Sequence, residues 1–248
     1  MYVKEFGADR AETILLLHGG GLSWWNYREE ARLLEDDRHV VLPVLDGHAD
    51  SGTPFTTIAD NAEALLSLID ERFGGSVLFI GGLSLGGQIL LEMLARRRDV
   101  CRYALVESAA VIPTRLTGAL IGPAVGCSYG LIRNERFARA QFKALHIRED
   151  LYGEYYRDTC KIAREDMAAF MKASTTYSLP KSLGETSARV HVCFGERETR
   201  VIRKSAEALC RAVPSAVTHR LPGLYHGEFS LNRPGEYAAL VREIVGGG

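Results

Sequence analysis

The segment SVLFIGGLSLGGQILLEM, residues 76–93, joins three patterns that together decide how the chain is organised. Ser76 to Ile80 is an apolar run of strand length. Gly82-Leu83-Ser84-Leu85-Gly86 is a serine set between glycines, and Gly87 to Ala95 has helical spacing. Strand, sharp turn and helix in that order can hold Ser84 on a strained corner with its hydroxyl exposed, because the flanking glycines lack the Cβ atoms that would clash there. The next residue, Leu85, opens a helix. Its backbone N–H then points at whatever the serine attacks, where the helix dipole favours negative charge. A phosphate-binding loop is excluded: Gly87 and Gln88 stand where that motif requires lysine and a hydroxyl residue.

Working outward, other short apolar runs recur at Thr13 to Leu17, His39 to Leu45, Tyr103 to Val106, Arg189 to Phe194 and Val217 to Leu221. Each reads as a buried strand. Helical patterns lie between most of them, at Asn26 to Leu34, Ala59 to Phe73, Leu85 to Arg97 and Ile202 to Ala212. Alternating strands and helices imply an α/β fold with a mostly parallel central sheet flanked by helices. Met1 to Phe6 is a candidate edge strand. Pro234 to Val245 reads as a closing helix with proline in its first turn, and Gly246 to Gly248 as a frayed tail. The alternation stops between Val111 and Leu183, where helical spacing persists without a convincing strand. The expected organisation is a core of residues 1–110 and 184–248 with an all-helical insertion at 111–183. Within the insertion Gly118, Gly122, Gly126 and Gly130 recur every four residues, a spacing that permits close helix contact.

Composition narrows the function classes. The 248 residues are 46% hydrophobic and 25% charged, with a formal net charge of −1, which suits one large globular domain with no nucleic-acid surface. No apolar stretch reaches membrane-spanning length, and the first residues lack the apolar core of a signal peptide, so the expectation is a cytoplasmic protein without a membrane partner. Five widely spaced cysteines, with no C-x-x-C pair, read as reduced and mostly buried thiols rather than as disulfides or metal ligands. No cofactor and no metal are expected. The partner is a small molecule, and a homodimer stays open.

A nucleophilic serine needs a base to take its proton and a third group to orient that base. His226 follows the last predicted strand and precedes the last helix, which suits the base. The acid belongs after the preceding strand, in Gly195-Glu196-Arg197-Glu198. Glu198 is the first choice, Glu196 the second, and Glu107 at the neighbouring strand end the third. The second oxyanion donor belongs in Leu17-His18-Gly19-Gly20-Gly21, with Gly20 ahead of Gly21, although the same glycines would serve a simple tight turn. His18 and His48 read as loop braces. Trp24, Trp25 and Tyr27 suit either a pocket wall or the core.

In this order the motifs HGGG at 18–21, GLSLG at 82–86, GERE at 195–198 and Tyr225-His226-Gly227 before Pro234 resemble the α/β-hydrolase fold family, in particular its small esterase-like members with a helical cap. The likeness covers the chain outside 111–183. It implies a Ser84-His226-Glu198 triad with Leu85 and Gly20 as oxyanion donors, and an insertion that caps the site. There are departures: the family offers aspartate where Glu198 stands, and its acidic loop motif has Val44 and Ala49 at two key positions, with Asp46 nearby. The short N-terminal arm implies that one or two leading strands are missing from the sheet. The implied reaction is hydrolysis of a small carboxylic ester, thioester or lactone through an acyl-enzyme. C–C bond hydrolysis, lyase or acyl-transfer chemistry, and a slow-turnover ligand sensor, are the alternatives.

Overall fold

The computed structural model describes residues 1–247, Arg115 by its backbone alone. The strands are β1 (Val3–Phe6), β2 (Thr13–Leu17), β3 (His39–Pro43), β4 (Val77–Leu83), β5 (Cys101–Glu107), β6 (Arg189–Gly195) and β7 (Val217–Leu221). They form one sheet in the order β1-β3-β2-β4-β5-β6-β7, in which β1 is antiparallel to β3 and all other neighbours are parallel. The N-terminal arm therefore does supply a leading edge strand. The helices of the alternating part are α1 (Arg28–Leu34), α2 (Ile58–Phe73), α3 (Leu85–Arg96), then α8 (Arg200–Ala212), α9 (Glu228–Asn232) and α10 (Pro234–Gly246). Between β5 and β6 the chain forms α4 (Arg115–Ser128), α5 (Glu135–Ala144), α6 (Tyr152–Thr159) and α7 (Arg164–Thr176) and, among the described residues, no strand.

Side chains alternate across each strand, so every central strand feeds two cores. Leu15 and Leu17 of β2 face one of them with Ile80, Ala104, Val106 and the apolar sides of α2, α3 and α8. Ile14 and Leu16 face the other, with Phe79, Leu105 and the buried sides of α1 and α10. Burial on both faces is why these strands read as unbroken apolar runs instead of alternating ones. Removing one such leucine would cost about 2–5 kcal/mol, because the close-packed surroundings cannot refill the space.

Some sequence expectations change. β7 is the sheet's edge and has no fully buried residue, so it is a half-solvated strand, not a buried one. β4 runs three residues further than expected, through Gly81-Gly82 to Leu83, which delivers Ser84 directly at its end. Only Cys101 and Cys193 are buried; Cys127 is exposed, and Cys160 and Cys210 are intermediate. Gly246 ends α10, while Gly248 of the expected tail lies outside the described residues. In the glycine stripe of α4, a Cβ on Gly118 would meet Thr176 of α7 at 2.6 Å, whereas Gly122 and Gly126 face open space, so one position of the stripe serves close contact.

Trp25 and Tyr27 are core residues with 1% and 0% exposure. Trp25 Nε1 donates to the buried Asp158 carboxylate at 3.0 Å, and Arg28 reaches Glu154 at 2.6 Å. These two contacts tie the start of α1 to α6. No helix among the described residues is long and apolar enough to cross a membrane.

Candidate active site

Ser84 sits between β4 and α3 with φ 51° and ψ −107°, a left-handed conformation that a non-glycine residue adopts only at a cost of about 1–3 kcal/mol. Its neighbours hold it there. Ser84 N donates to Glu107 O at 2.8 Å, and Gln88 N donates to Ser84 O at 2.9 Å. The flanking glycines are required by contact: a Cβ on Gly82 would lie 2.5 Å from Gly86 O, and one on Gly86 would strike the Leu17 carbonyl. The strand-turn-helix read from residues 76–93 is therefore a tight corner wedged between the ends of β2, β4 and β5.

Two loops at the same sheet edge bring the histidine and the carboxylate to this corner. Glu196 N donates to Leu221 O at 2.8 Å and Arg197 N to Leu224 O at 2.9 Å, which stitches the loop after β6 to the loop after β7. Across that seam, His226 Nδ1 donates to Glu198 Oε2 at 2.9 Å, and the Ser84 hydroxyl donates to His226 Nε2 at 3.2 Å. Ser84, His226 and Glu198, 142 residues apart at the extremes, form one hydrogen-bonded chain. The Glu198 side chain is fully buried and the His226 side chain is 47% exposed, so the outer end of the chain meets solvent while the inner end is dry.

The two other glutamates behave differently. Glu196 pairs with Arg220 at 2.8 Å and accepts from Gly223 N at 3.1 Å, which fixes the loop after β7. Glu107 is buried and accepts from Ser230 N at 3.3 Å, with no hydrogen bond to His226. Burial pushes the Glu107 carboxyl up to about 7, against the lowering influence of Ser230 and the His226 charge. For His226, burial acts downward, but the Glu198 hydrogen bond and charge, with the Glu107 charge behind them, raise it above the ordinary histidine value.

Ser108, which sequence reasoning did not single out, completes the carboxylate. It lies one residue past β5 with φ 54°, its N–H donates to Cys193 O at 2.9 Å, and its hydroxyl donates to Glu198 Oε1. A serine after a strand is too common a feature to mark itself. The pairing of Glu107 with Cys193 in the β5–β6 register is what brings it to Glu198.

The loop after β2 lies opposite. His18 Nδ1 donates to Gly19 O at 2.9 Å and His18 Nε2 accepts from Leu45 N at 3.1 Å, so the ring braces two loops as expected. His48 Nδ1 donates to Asp46 O at 3.0 Å and its ring stacks on Phe170 of α7, 4.6 Å between centroids. Burial is the main reason that His18 is pushed down to about 3 and His48 to about 4; both rings are neutral braces. A Cβ on Gly20 would lie 3.6 Å from Leu85 Cδ2, which puts the two expected oxyanion donors on neighbouring residues. Among the described residues neither the Gly20 nor the Leu85 N–H has an acceptor. Gly20, Ser84 and His226 line one small cavity of about 70 Å³, whose wall also includes the apolar side chains of Leu22, Leu83, Leu145, Ile147 and Leu231.

A mostly parallel sheet with a strained serine at one strand end and a histidine and glutamate at two later strand ends defines an α/β hydrolase architecture. The chain belongs to the alpha/beta hydrolase family, whose model matches residues 14–240. Solved structures with the same fold include an esterase from Exiguobacterium antarcticum, at TM-score 0.84 and 15% identity over 99% of this chain and 95% of that one. They also include a thermophilic esterase from Thermogutta terrifontis, at 0.79 and 19% over 98% and 91%. The enol-lactonase from Burkholderia xenovorans LB400 is a third, at 0.82 and 16% over 99% and 96%. A haloalkane dehalogenase from Bradyrhizobium diazoefficiens is 29% identical over 117 residues, a match that spans 46% of this chain and only 37% of the dehalogenase.

Proposed function

We propose that the protein hydrolyses a small carboxylic ester, or the related thioester or lactone, through an acyl-enzyme on Ser84. The observation that carries this reading is the hydrogen-bonded chain from Ser84 through His226 to Glu198, with contacts of 3.2 and 2.9 Å. His226 Nε2 takes the hydroxyl proton as Ser84 Oγ attacks the acyl carbon. Glu198 stabilises the imidazolium so formed and keeps the Nδ1 proton in place. The N–H groups of Leu85 and Gly20 receive the oxyanion, with the start of α3 adding its dipole. His226 then returns the proton to the leaving oxygen, and water repeats the sequence on the acyl-enzyme.

Helices α4 to α7 serve as a cap: Leu145, next to α5, already borders the cavity at Ser84. The esterases and the enol-lactonase among the fold neighbours are consistent with acyl chemistry, and the unpaired cysteines suit a reducing, cytoplasmic setting. The test is turnover of p-nitrophenyl acetate together with labelling by a fluorophosphonate probe. Multiple turnovers and labelling, both abolished in Ser84→Ala, are the expected outcome. A serine inert to the probe, with no acyl ester hydrolysed, would refute the reading.

A further inference from the structure

Two cavities meet at His226. The small one of about 70 Å³ holds Ser84 and Gly20 in its wall; a larger one of about 420 Å³ lies beyond the imidazole and does not reach Ser84. Leu145 and His226 border both. This division maps onto the two halves of an ester. The acyl carbon must sit at Ser84 Oγ with its oxygen at the Leu85 and Gly20 N–H groups, while the leaving oxygen must lie where His226 Nε2 can protonate it. The cavity that contains Ser84 therefore takes the acyl group, and the groove that is bordered by His226 but not by Ser84 takes the leaving group.

The groove has a distinct chemistry. Arg197, Thr199, Tyr225 and His146 contribute to its wall. The exposed Arg197 guanidinium lies 5.4 Å from the centre of the Tyr225 ring, and His146 lies parallel to the same ring at 4.1 Å. Among the described residues Arg197 has no ion pair and its guanidinium no hydrogen-bond acceptor. Glu198 is the only carboxylate among the described residues lining the groove, and both its oxygens are engaged, by Ser108 and His226. The wall thus presents one cation without a carboxylate partner among the described residues, set over an aromatic ring in the groove that His226 borders. A guanidinium fork matches a planar carboxylate, and one positive charge balances a monoanion better than a phosphate dianion.

We propose that the substrate is an ester joining a short acyl group, which fills the cavity at Ser84, to an alcohol or phenol that carries a carboxylate, which Arg197 holds in the groove. This rests on Ser84 acting as an acyl acceptor, as proposed above.

The experiment compares 4-acetoxybenzoate with its uncharged analogue 4-acetoxybenzamide, both of which release acetate. The wild-type protein should show the higher kcat/KM on the anion. Arg197→Gln should lower the anion-to-amide ratio by about ten- to a hundredfold, the range for a charge-assisted contact, and Arg197→Lys should recover part of it. The product 4-hydroxybenzoate should likewise lose affinity as a competitive inhibitor in Arg197→Gln. A wild-type preference for the amide, or a ratio and inhibition unmoved by Arg197→Gln while Ser84-dependent turnover persists, would overturn the assignment alone. Failure to turn over either ester, with Ser84 unlabelled by fluorophosphonate, would overturn the acyl-transfer reading and this inference with it.

Discussion

Ser108 and His226 grip opposite oxygens of one buried carboxylate: the Ser108 hydroxyl donates to Glu198 Oε1, and His226 Nδ1 donates to Glu198 Oε2 at 2.9 Å. The Glu198 side chain has no solvent exposure, and burying a carboxylate is costly unless hydrogen bonds replace the lost water, as they do here at both oxygens. The serine that achieves this is held in a left-handed conformation by its own N–H bond to Cys193 O.

Ser108→Ala should consequently do two things. It leaves Oε1 without a donor, which destabilises the fold by about 1–3 kcal/mol in urea denaturation. It also loosens the carboxylate that orients His226, so kcat/KM on p-nitrophenyl acetate should fall by about tenfold. An unchanged rate would show that His226 alone holds Glu198.

Replacing the two buried glutamates should separate their roles. Glu198→Gln keeps the shape but cannot hold the Nδ1 tautomer or stabilise the imidazolium, and turnover should fall by about 10³–10⁴. Glu107→Gln should lower kcat by less than tenfold, because Glu107 bonds Ser230 N and not His226. The reverse result would move the acid to the end of β5. Glu107 also makes a stability prediction. Its carboxyl, normally near 4.5, is raised to about 7, so the folded state holds the proton longer than the unfolded chain. The stability this provides is complete below the ordinary value and is lost as pH rises from 4.5 through about 7. Glu107→Gln should flatten that part of the curve of Tm against pH.

The pH dependence of kcat/KM should rise through the titration of His226, which works as a base only when neutral. Its inflection is expected above 6.5, since Glu198 and Glu107 more than offset the effect of burial. Glu198→Gln removes the main raising influence and should shift the inflection to lower pH, which the residual activity across the range will show.

His18 and His48 should limit acid stability. Folded, they titrate at about 3 and about 4; in the unfolded chain both take protons near 6.5. Their contribution is intact above 6.5 and is lost as pH falls toward those lower values. The loss is about 1.4 kcal/mol per pH unit for each ring inside its window. His48→Phe, which retains the stacking on Phe170, should lessen the slope of Tm against pH between 6 and 4.5 relative to the wild type, as read by thermal denaturation.

The alternating order of strands and helices, the glycine-flanked Ser84 and the order of Ser84, Glu198 and His226 along the chain were all determined by local sequence. Apolar runs buried on both faces announce parallel strands, and a serine between glycines at a strand-helix junction announces a tight corner, because both follow from sterics and solvation within a few residues. Tertiary structure decided what depends on which strands are neighbours. The choice among Glu196, Glu107 and Glu198 as the residue that reaches His226 turned on the stitching of the β6 and β7 loops. The part played by Ser108 turned on the β5–β6 register, and the burial of Trp25 on its bond to Asp158, 133 residues away. The edge position of β7, which leaves an apolar-looking run half in water, is likewise a property of the sheet order. Periodicity tells a residue's face within its own element; it carries no information about the residue that the folded chain brings to that face.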